Sequence, residues 1–167
     1  MPVIYQANTE QDFELVRLLT REYLTWTVEQ AKRLVGKNLN LDAMLGYSLA
    51  DLEIYTPPKG RLLLALEAED AAAVVFLKKL REDACEIKRM YVRPEFRGKR
   101  IAVSLLEDVI SSARRENYCE IYLDSISFMD QAHKLYRAYG FHDIDMYPES
   151  EVGAELQEHM LYMKLVL

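Results

Sequence analysis

Apolar residues along the chain change period several times, and each change predicts an element. A short mixed segment, Val3 to Ala7, reads as a strand. Thr9 to Asp12 then forms a capping box ahead of Phe13, Val16, Leu19 and Tyr23, whose three- and four-residue spacing predicts a helix. From Thr27 to Tyr55 the pattern loosens around Gly36 and Gly46, and one or two short helices are expected. Pro57, Pro58 and Gly60 interrupt the chain. Arg61 to Glu67 and Ala72 to Lys78 follow as strands paired around Glu69-Asp70, and Cys85 to Val92 is a third strand after the charged turn Arg81 to Asp83. Ile101 to Glu116 carries Leu105, Leu106, Val109, Ile110 and Ala113 at helical spacing, and Glu120 to Asp124 resumes as a strand. This is a strand, helix, strand unit, which implies a parallel pair with a right-handed crossover. Met129 to Tyr139 is a further helix stopped by Gly140, and Phe141 to Ile144 and Met160 to Val166 are the last strands. The expected fold is α/β of the α+β kind: a mixed, mostly antiparallel central sheet with one parallel crossover and helices on both faces.

Composition narrows the function more than the fold. With 167 residues, half of them hydrophobic, the chain is expected to form one domain spanning 1–167. The formal net charge of -6 argues against a nucleic-acid binder, which needs clustered cations to displace counterions. No apolar run is long enough for a membrane span, and the charged first thirty residues lack the apolar core of a signal peptide, so a cytoplasmic protein is expected. Cys85 and Cys119 have no metal or redox spacing and read as reduced packing thiols. The carboxylates make no metal-ligand pattern beside His142 or His159.

The most informative segment is Val92-Arg93-Pro94-Glu95-Phe96-Arg97-Gly98-Lys99-Arg100-Ile101-Ala102, between a strand and the first turn of a helix. Unpaired amides at such a junction, together with the helix dipole, make an anion pocket, and Gly98 allows close approach of an oxygen ligand. Arg97, Lys99 and Arg100 concentrate positive charge there, as a diphosphate would require. A solvated basic turn with a capping glycine fits the same residues. The nucleotide motifs Gly-x-x-x-x-Gly-Lys-Ser/Thr and Gly-x-Gly-x-x-Gly are absent.

Glu95 to Arg100 resembles the acetyl-coenzyme A motif of the GNAT superfamily of N-acetyltransferases, Gln/Arg-x-x-Gly-x-Gly/Ala, with Leu105-Leu106 following at the family's spacing. Glu95 stands in place of Gln/Arg, and Arg100 in place of the second small residue. Leu123-Asp124 followed by Met129-x-x-Ala132-x-x-Leu135-Tyr136-x-x-x-Gly140-Phe141 resembles the family's later motif, where Asn is frequent at the position of Met129. The resemblance is close from Ala84 to Ile144. It implies a GNAT acyl-CoA acyltransferase fold and transfer of an acetyl group from acetyl-CoA to an amine. Amides from Arg97 through Gly98, Lys99, Arg100 and Ile101 to Ala102 would hold the diphosphate. The strand Met90-Tyr91-Val92 would pair with the pantetheine arm through Met90 and Val92.

By the same resemblance Tyr136 is the candidate general acid for the departing thiolate; its alternative is a packing aromatic on an apolar helix stripe. Glu86, in the strand before the phosphate turn, is the first candidate base, with an ion pair to a basic neighbour as its alternative and ordered water as the other base. The resemblance also implies that the segment from Tyr23 to Tyr55 shapes the acceptor site, with Trp26, Tyr47 and Tyr55 as candidates to line it and core aromatics as their alternative; the acidic balance favours a cationic small molecule or peptide there. A hydrolase triad from His133, Asp124 and Ser104 or Ser125 lacks the Gly-x-Ser-x-Gly turn. A non-catalytic acyl-CoA sensor or interaction module of the same fold is the alternative function. The acyl length, the acceptor and a possible homodimer are left open by the sequence.

Overall fold

The computed structural model describes residues 1–167. Seven strands form one sheet: β1 (Val3–Gln6), β2 (Arg61–Glu67), β3 (Asp70–Arg81), β4 (Ala84–Val92), β5 (Glu120–Ile126), β6 (His142–Ile144) and β7 (Met160–Val166). Their order across the sheet is β1-β2-β3-β4-β5-β7-β6. Every neighbouring pair is antiparallel except β4 and β5, as the crossover pattern predicts. The last two strands occur where expected, but β7 inserts between β5 and β6, an arrangement that local periodicity cannot show. No helix is long and apolar enough to cross a membrane.

Helices cover both faces. On one face α3 (Ile101–Arg115) and α4 (Asp130–Ala138) bury Ile101, Leu105, Leu106, Val109 and Tyr136 against Val75, Cys85, Ile87 and Leu123. On the other face α1 (Glu10–Val35) buries Val16 and Leu19 against Leu62, Leu64, Val74 and Phe76. The Thr9 hydroxyl accepts the Asp12 amide at 3.1 Å and Asp12 accepts the Thr9 amide at 2.9 Å, so the capping box forms as read. This helix continues well beyond Tyr23. Buried Leu24, Thr27 and Ala31 extend its apolar stripe, and Gly36 closes it in the left-handed region at φ 70°. A short helix, α2 (Leu41–Leu49, capped by the Asn40 side chain), packs beside it.

The feature that positions the site is a splay. Hydrogen-bonded register between β4 and β5 spans only Ala84–Glu120, Cys85–Ile121 and Glu86–Tyr122. Beyond Glu86 the two strands diverge, leaving the edge of β4 from Ile87 to Val92 with no strand partner on that side. A bulge lies in the same stretch: Lys88 pairs with Phe76 and Tyr91 with Val74, so Arg89 and Met90 together face Val75. Arg89 takes the left-handed conformation, φ 52°, that makes this possible.

Candidate active site

A cleft of about 780 Å³ runs into the splay. Its floor and walls come from Met90, Tyr91 and Val92 of β4, the turn from Phe96 to Ala102, Tyr23 and Trp26 of α1, and Phe128 to Ala132 with Leu135 from the β5–α4 segment. The phosphate-turn residues and the later motif, about forty residues apart in the chain, therefore share one cavity, which is large enough to take most of a cofactor-sized ligand.

At its mouth the turn has the expected electrostatic character. Arg97 donates its amide to the Pro94 carbonyl at 3.2 Å, and Ser104 is the next residue whose amide finds a carbonyl, that of Arg100 at 3.0 Å. The amides of Gly98, Lys99, Arg100, Ile101, Ala102 and Val103 have no acceptor in the protein. The free run is thus displaced by one residue from the expected Arg97 to Ala102, because the one-turn helix Pro94–Phe96 captures the Arg97 amide. Gly98 (φ 79°) and Arg100 (φ 62°) both lie in the left-handed region, which turns successive amides inward. An arginine thus takes a left-handed conformation at the position where the motif has a small residue. No side chain caps α3, so its dipole faces the cleft.

The side chains divide. Arg97 and Arg100 line the cleft, whereas the Lys99 ammonium lies 3.3 Å from Glu67 and over the Phe96 ring at 5.5 Å, so its side chain is directed away from the cleft. A Cβ placed on Gly98 meets nothing within 4 Å, because it would project into open space. Replacing Gly98 by Asp puts an anion there and strains the left-handed backbone. The expected outcome is at least a tenfold loss of coenzyme A affinity by calorimetry with an intact fold by circular dichroism. Unchanged affinity would remove the turn from the binding site.

Tyr136 sits on α4 against Phe141, ring centroids 5.5 Å apart. It is 6% exposed, yet its hydroxyl has no hydrogen-bond partner in the protein and is not sealed from solvent. Burial raises its pKa above the usual phenol value, and nearby Tyr23 adds to the rise. Tyr23 bridges the two regions: its ring stacks near Tyr91 at 5.5 Å and its hydroxyl lies 3.6 Å from the Met129 sulfur. The resemblance implies that the segment from Tyr23 to Tyr55 borders the acceptor site, but the sequence itself marks Tyr23 only as part of a helix stripe.

Glu86 lies at the vertex of the splay with no exposed surface. It accepts from the Tyr147 hydroxyl at 2.6 Å, the Lys88 ammonium lies 3.1 Å from the same oxygen as an ion pair, and Lys78 stands 3.6 Å from its second oxygen, which has no hydrogen bond. Lys88 also holds Asp124 at 3.2 Å, and Ser150 donates to Asp124 at 3.2 Å. Tyr122, Tyr147 and Tyr162 cover this network from the β5–β7 side. The ion pair considered for Glu86 is therefore present, within a network that brings together residues from 78 to 151.

The remaining candidates separate. Trp26 lines the cleft edge-on to Phe128, Tyr55 is a core residue against Phe76, and Tyr47 is exposed and bonded to Glu151. His133 is buried beside Ser125 at 2.9 Å, burial depresses its pKa, and Asp124 is engaged elsewhere, so no triad forms. Burial pushes the Cys85 thiol up to about 12, as suits a packing thiol, and Cys119 is unpaired and exposed.

Comparison with known proteins agrees with this geometry. Residues 14–141 match the acetyltransferase (GNAT) family. An uncharacterized N-acetyltransferase of Schizosaccharomyces pombe is 27% identical over 97% of this chain and 93% of its own length. N-acetylaspartate synthetase of Danio rerio is 35% identical over 60% of this chain, a region that is 37% of that protein. The PaiA N-acetyltransferase of Thermoplasma acidophilum, solved in complex with coenzyme A, shares the fold at a TM-score of 0.76 with 18% identity, covering 100% of this chain and 99% of that one. A seven-stranded sheet splayed beside a turn of free amides, matched over most of the chain by one family, places this protein among the GNAT acetyltransferases.

Proposed function

We propose that this protein transfers an acetyl group from acetyl-CoA to a small primary amine by direct attack. The observation that carries the reading is the run of acceptor-free amides from Gly98 to Val103 at the mouth of a cleft walled by Tyr23 and by Ala132 and Leu135 of the helix that carries Tyr136. These amides suit the diphosphate of coenzyme A, and the unpaired edge of β4 at Met90 and Val92 suits its pantetheine amides, which would add as a strand. The thioester then lies deep in the splay. The name of the zebrafish relative supports a small amine as acceptor.

In this reading the neutral amine attacks the thioester carbonyl, its nitrogen loses a proton, and the departing thiolate gains one. Tyr136 is the donor for the sulfur: its raised pKa keeps the phenol protonated through neutral pH. The base is ordered water leading toward Glu86, because a carboxylate with no exposed surface cannot touch the acceptor directly. Glu86→Gln retains the size of the side chain and an acceptor for Tyr147. Turnover about tenfold lower for the folded variant, with acetyl-CoA affinity near wild type, is expected if the proton ends on Glu86, over and above the loss of stability from disturbing the ion network. A variant that loses stability without a specific loss of kcat would assign Glu86 to the ion network alone.

The reading is tested by thiol release from acetyl-CoA across a panel of primary amines. Time-dependent release that requires an amine supports it. Tight coenzyme A binding with no release for any amine would instead make the protein a binding module.

A further inference from the structure

Three cations project from β3 and β4 on the face covered by α1 and α2, and they are not equivalent. Lys78 lies 3.1 Å from Glu151 and 3.6 Å from Glu86, and Lys88 lies 3.1 Å from Glu86 and 3.2 Å from Asp124. Each lysine therefore already serves two carboxylates. Arg89 has no carboxylate oxygen within 4.0 Å. Its one side-chain hydrogen bond runs from Nε to the Ser48 hydroxyl at 3.0 Å, and both terminal nitrogens are unpartnered. The three nearby acids are held by the lysines, which leaves the guanidinium fork free.

The backbone shows why it points there. Ile87 and Val92 both face the α3 core although they are five residues apart, so strict alternation fails between them. The bulge at Arg89 and Met90 absorbs the extra residue and, through the left-handed turn at Arg89, carries the arginine side chain across to Ser48 on α2. Arg89 is partly buried, and its terminal nitrogens are not sealed from solvent, so an anion can reach them.

Its place relative to the cleft follows from the tyrosines. The positive charge of Arg89 opposes the burial that raises Tyr23 and Tyr55, and it acts on Tyr47 as well. Tyr23 in turn acts on Tyr136 and touches Met129 in the cleft wall. Arg89 thus directly precedes the cleft-lining Met90 in β4, and its charge is felt at Tyr23 in the cleft wall.

We propose that Arg89, anchored through Ser48, is the carboxylate-binding residue of the acceptor site, so that the acceptor is an amino acid or similar amine bearing its own carboxylate. The guanidinium presents two parallel N–H donors, the geometry that pairs with a carboxylate in a bidentate contact and that a lysine cannot reproduce. The acceptor is then held by its acid group at Arg89 with its amine toward the thioester. A polyamine, which the overall acidity favours at long range, would meet an unpaired cation at this point. The proposal rests on the acetyltransferase reading and specifies its acceptor.

The test uses the intact protein with acetyl-CoA and measures thiol release with L-aspartate, L-glutamate, L-alanine, L-methionine and L-phenylalanine, each beside its α-amide, and with spermidine. At least one amino acid should exceed its amide in kcat/KM by about 30-fold, the range expected for a charge-assisted pair. Arg89→Gln should raise the KM for that amino acid about 30-fold, leave the Kd of acetyl-CoA unchanged, and alter kcat/KM for the amide far less than for the acid. Arg89→Lys should recover only part. Amides or spermidine used as well as the amino acids, or an Arg89→Gln loss that is equal for acid and amide, would overturn the proposal. Should no amine release thiol, the transferase reading fails separately. Calorimetry of the coenzyme A complex with N-acetyl amino acids against their amides then decides Arg89, and equal binding rejects it.

Discussion

Tyr136→Phe is expected to lower kcat by about 10²- to 10³-fold with the Kd of acetyl-CoA unchanged. The substitution removes one oxygen that no protein group uses, so the ring packing against Phe141 survives and the fold should melt within a degree or two of wild type. What is lost is the hydrogen bond to sulfur as negative charge accumulates there, an interaction made in the transition state and barely in the ground state. The sign of the pKa shift adds a second readout. Burial and Tyr23 raise the phenol, so Tyr136 retains its proton at pH values where a free tyrosine would begin to ionise. The wild-type kcat should therefore show no alkaline loss attributable to Tyr136 up to about pH 10, the usual phenol value. Stopped-flow or steady-state thiol release across pH 6 to 10 checks both points. A Tyr136→Phe rate within a factor of two of wild type would assign the residue to packing alone.

The second large effect concerns stability. Lys88→Met should destabilise the protein by about 3–5 kcal/mol, because the buried carboxylates of Glu86 and Asp124 both lose an ammonium close to 3.1–3.2 Å away. Bulk solvent restores little of it: Glu86 has no exposed surface and the Asp124 side chain very little. Lys78 remains for Glu86 at 3.6 Å, and Tyr147 and Ser150 remain as neutral donors, which is why the loss is bounded and the fold persists. Adding Glu86→Met to Lys88→Met should restore at least half of the loss by removing the stranded charge. Urea unfolding of the two singles and the double gives the coupling directly. A single-variant cost below about 1 kcal/mol would mean that water reaches the network and that the pair behaves like one at the surface.

How much of this could be read from the chain depends on how local each feature is. The capping box at Thr9, the α3 stripe from Ile101 to Ala113, the crossover between β4 and β5, and the stop at Gly140 are all set by residues within one or two turns of each other, and all appear in the structure. The phosphate turn was legible for the same reason: a glycine between a strand and an amphipathic helix is a local pattern, and only its first free amide had to move, by one residue, because of the turn at Pro94. The long α1 was less legible. Thr27 falls where its apolar stripe thins, and its hydroxyl is satisfied by bonding back to the Tyr23 carbonyl at 2.8 Å inside the helix.

The acceptor end was the least legible, for three physical reasons. The splay is a failure of pairing between two strands that each look regular. The bulge at Arg89 is made without a glycine, so nothing in the sequence marks a positive φ. The ion network joins Lys78, Glu86, Lys88, Asp124, Tyr147 and Glu151, whose shared location follows only from strand order and from the segment between β6 and β7 folding over Tyr122. Glu86 could be noticed as a charge in a central strand, but its partners could not be named beyond neighbouring bases.

The central claim is that the free amides of the turn and the unpaired edge of β4 form one binding surface for coenzyme A. Amide chemical-shift mapping of the isotopically labelled protein during a coenzyme A titration tests it most directly. The largest shifts should fall on Gly98 to Val103, with a second group at Met90 to Val92 and smaller changes at Tyr23 and Tyr136. A titration that leaves Gly98 to Val103 unmoved, or that concentrates its shifts outside the splay, would contradict the account.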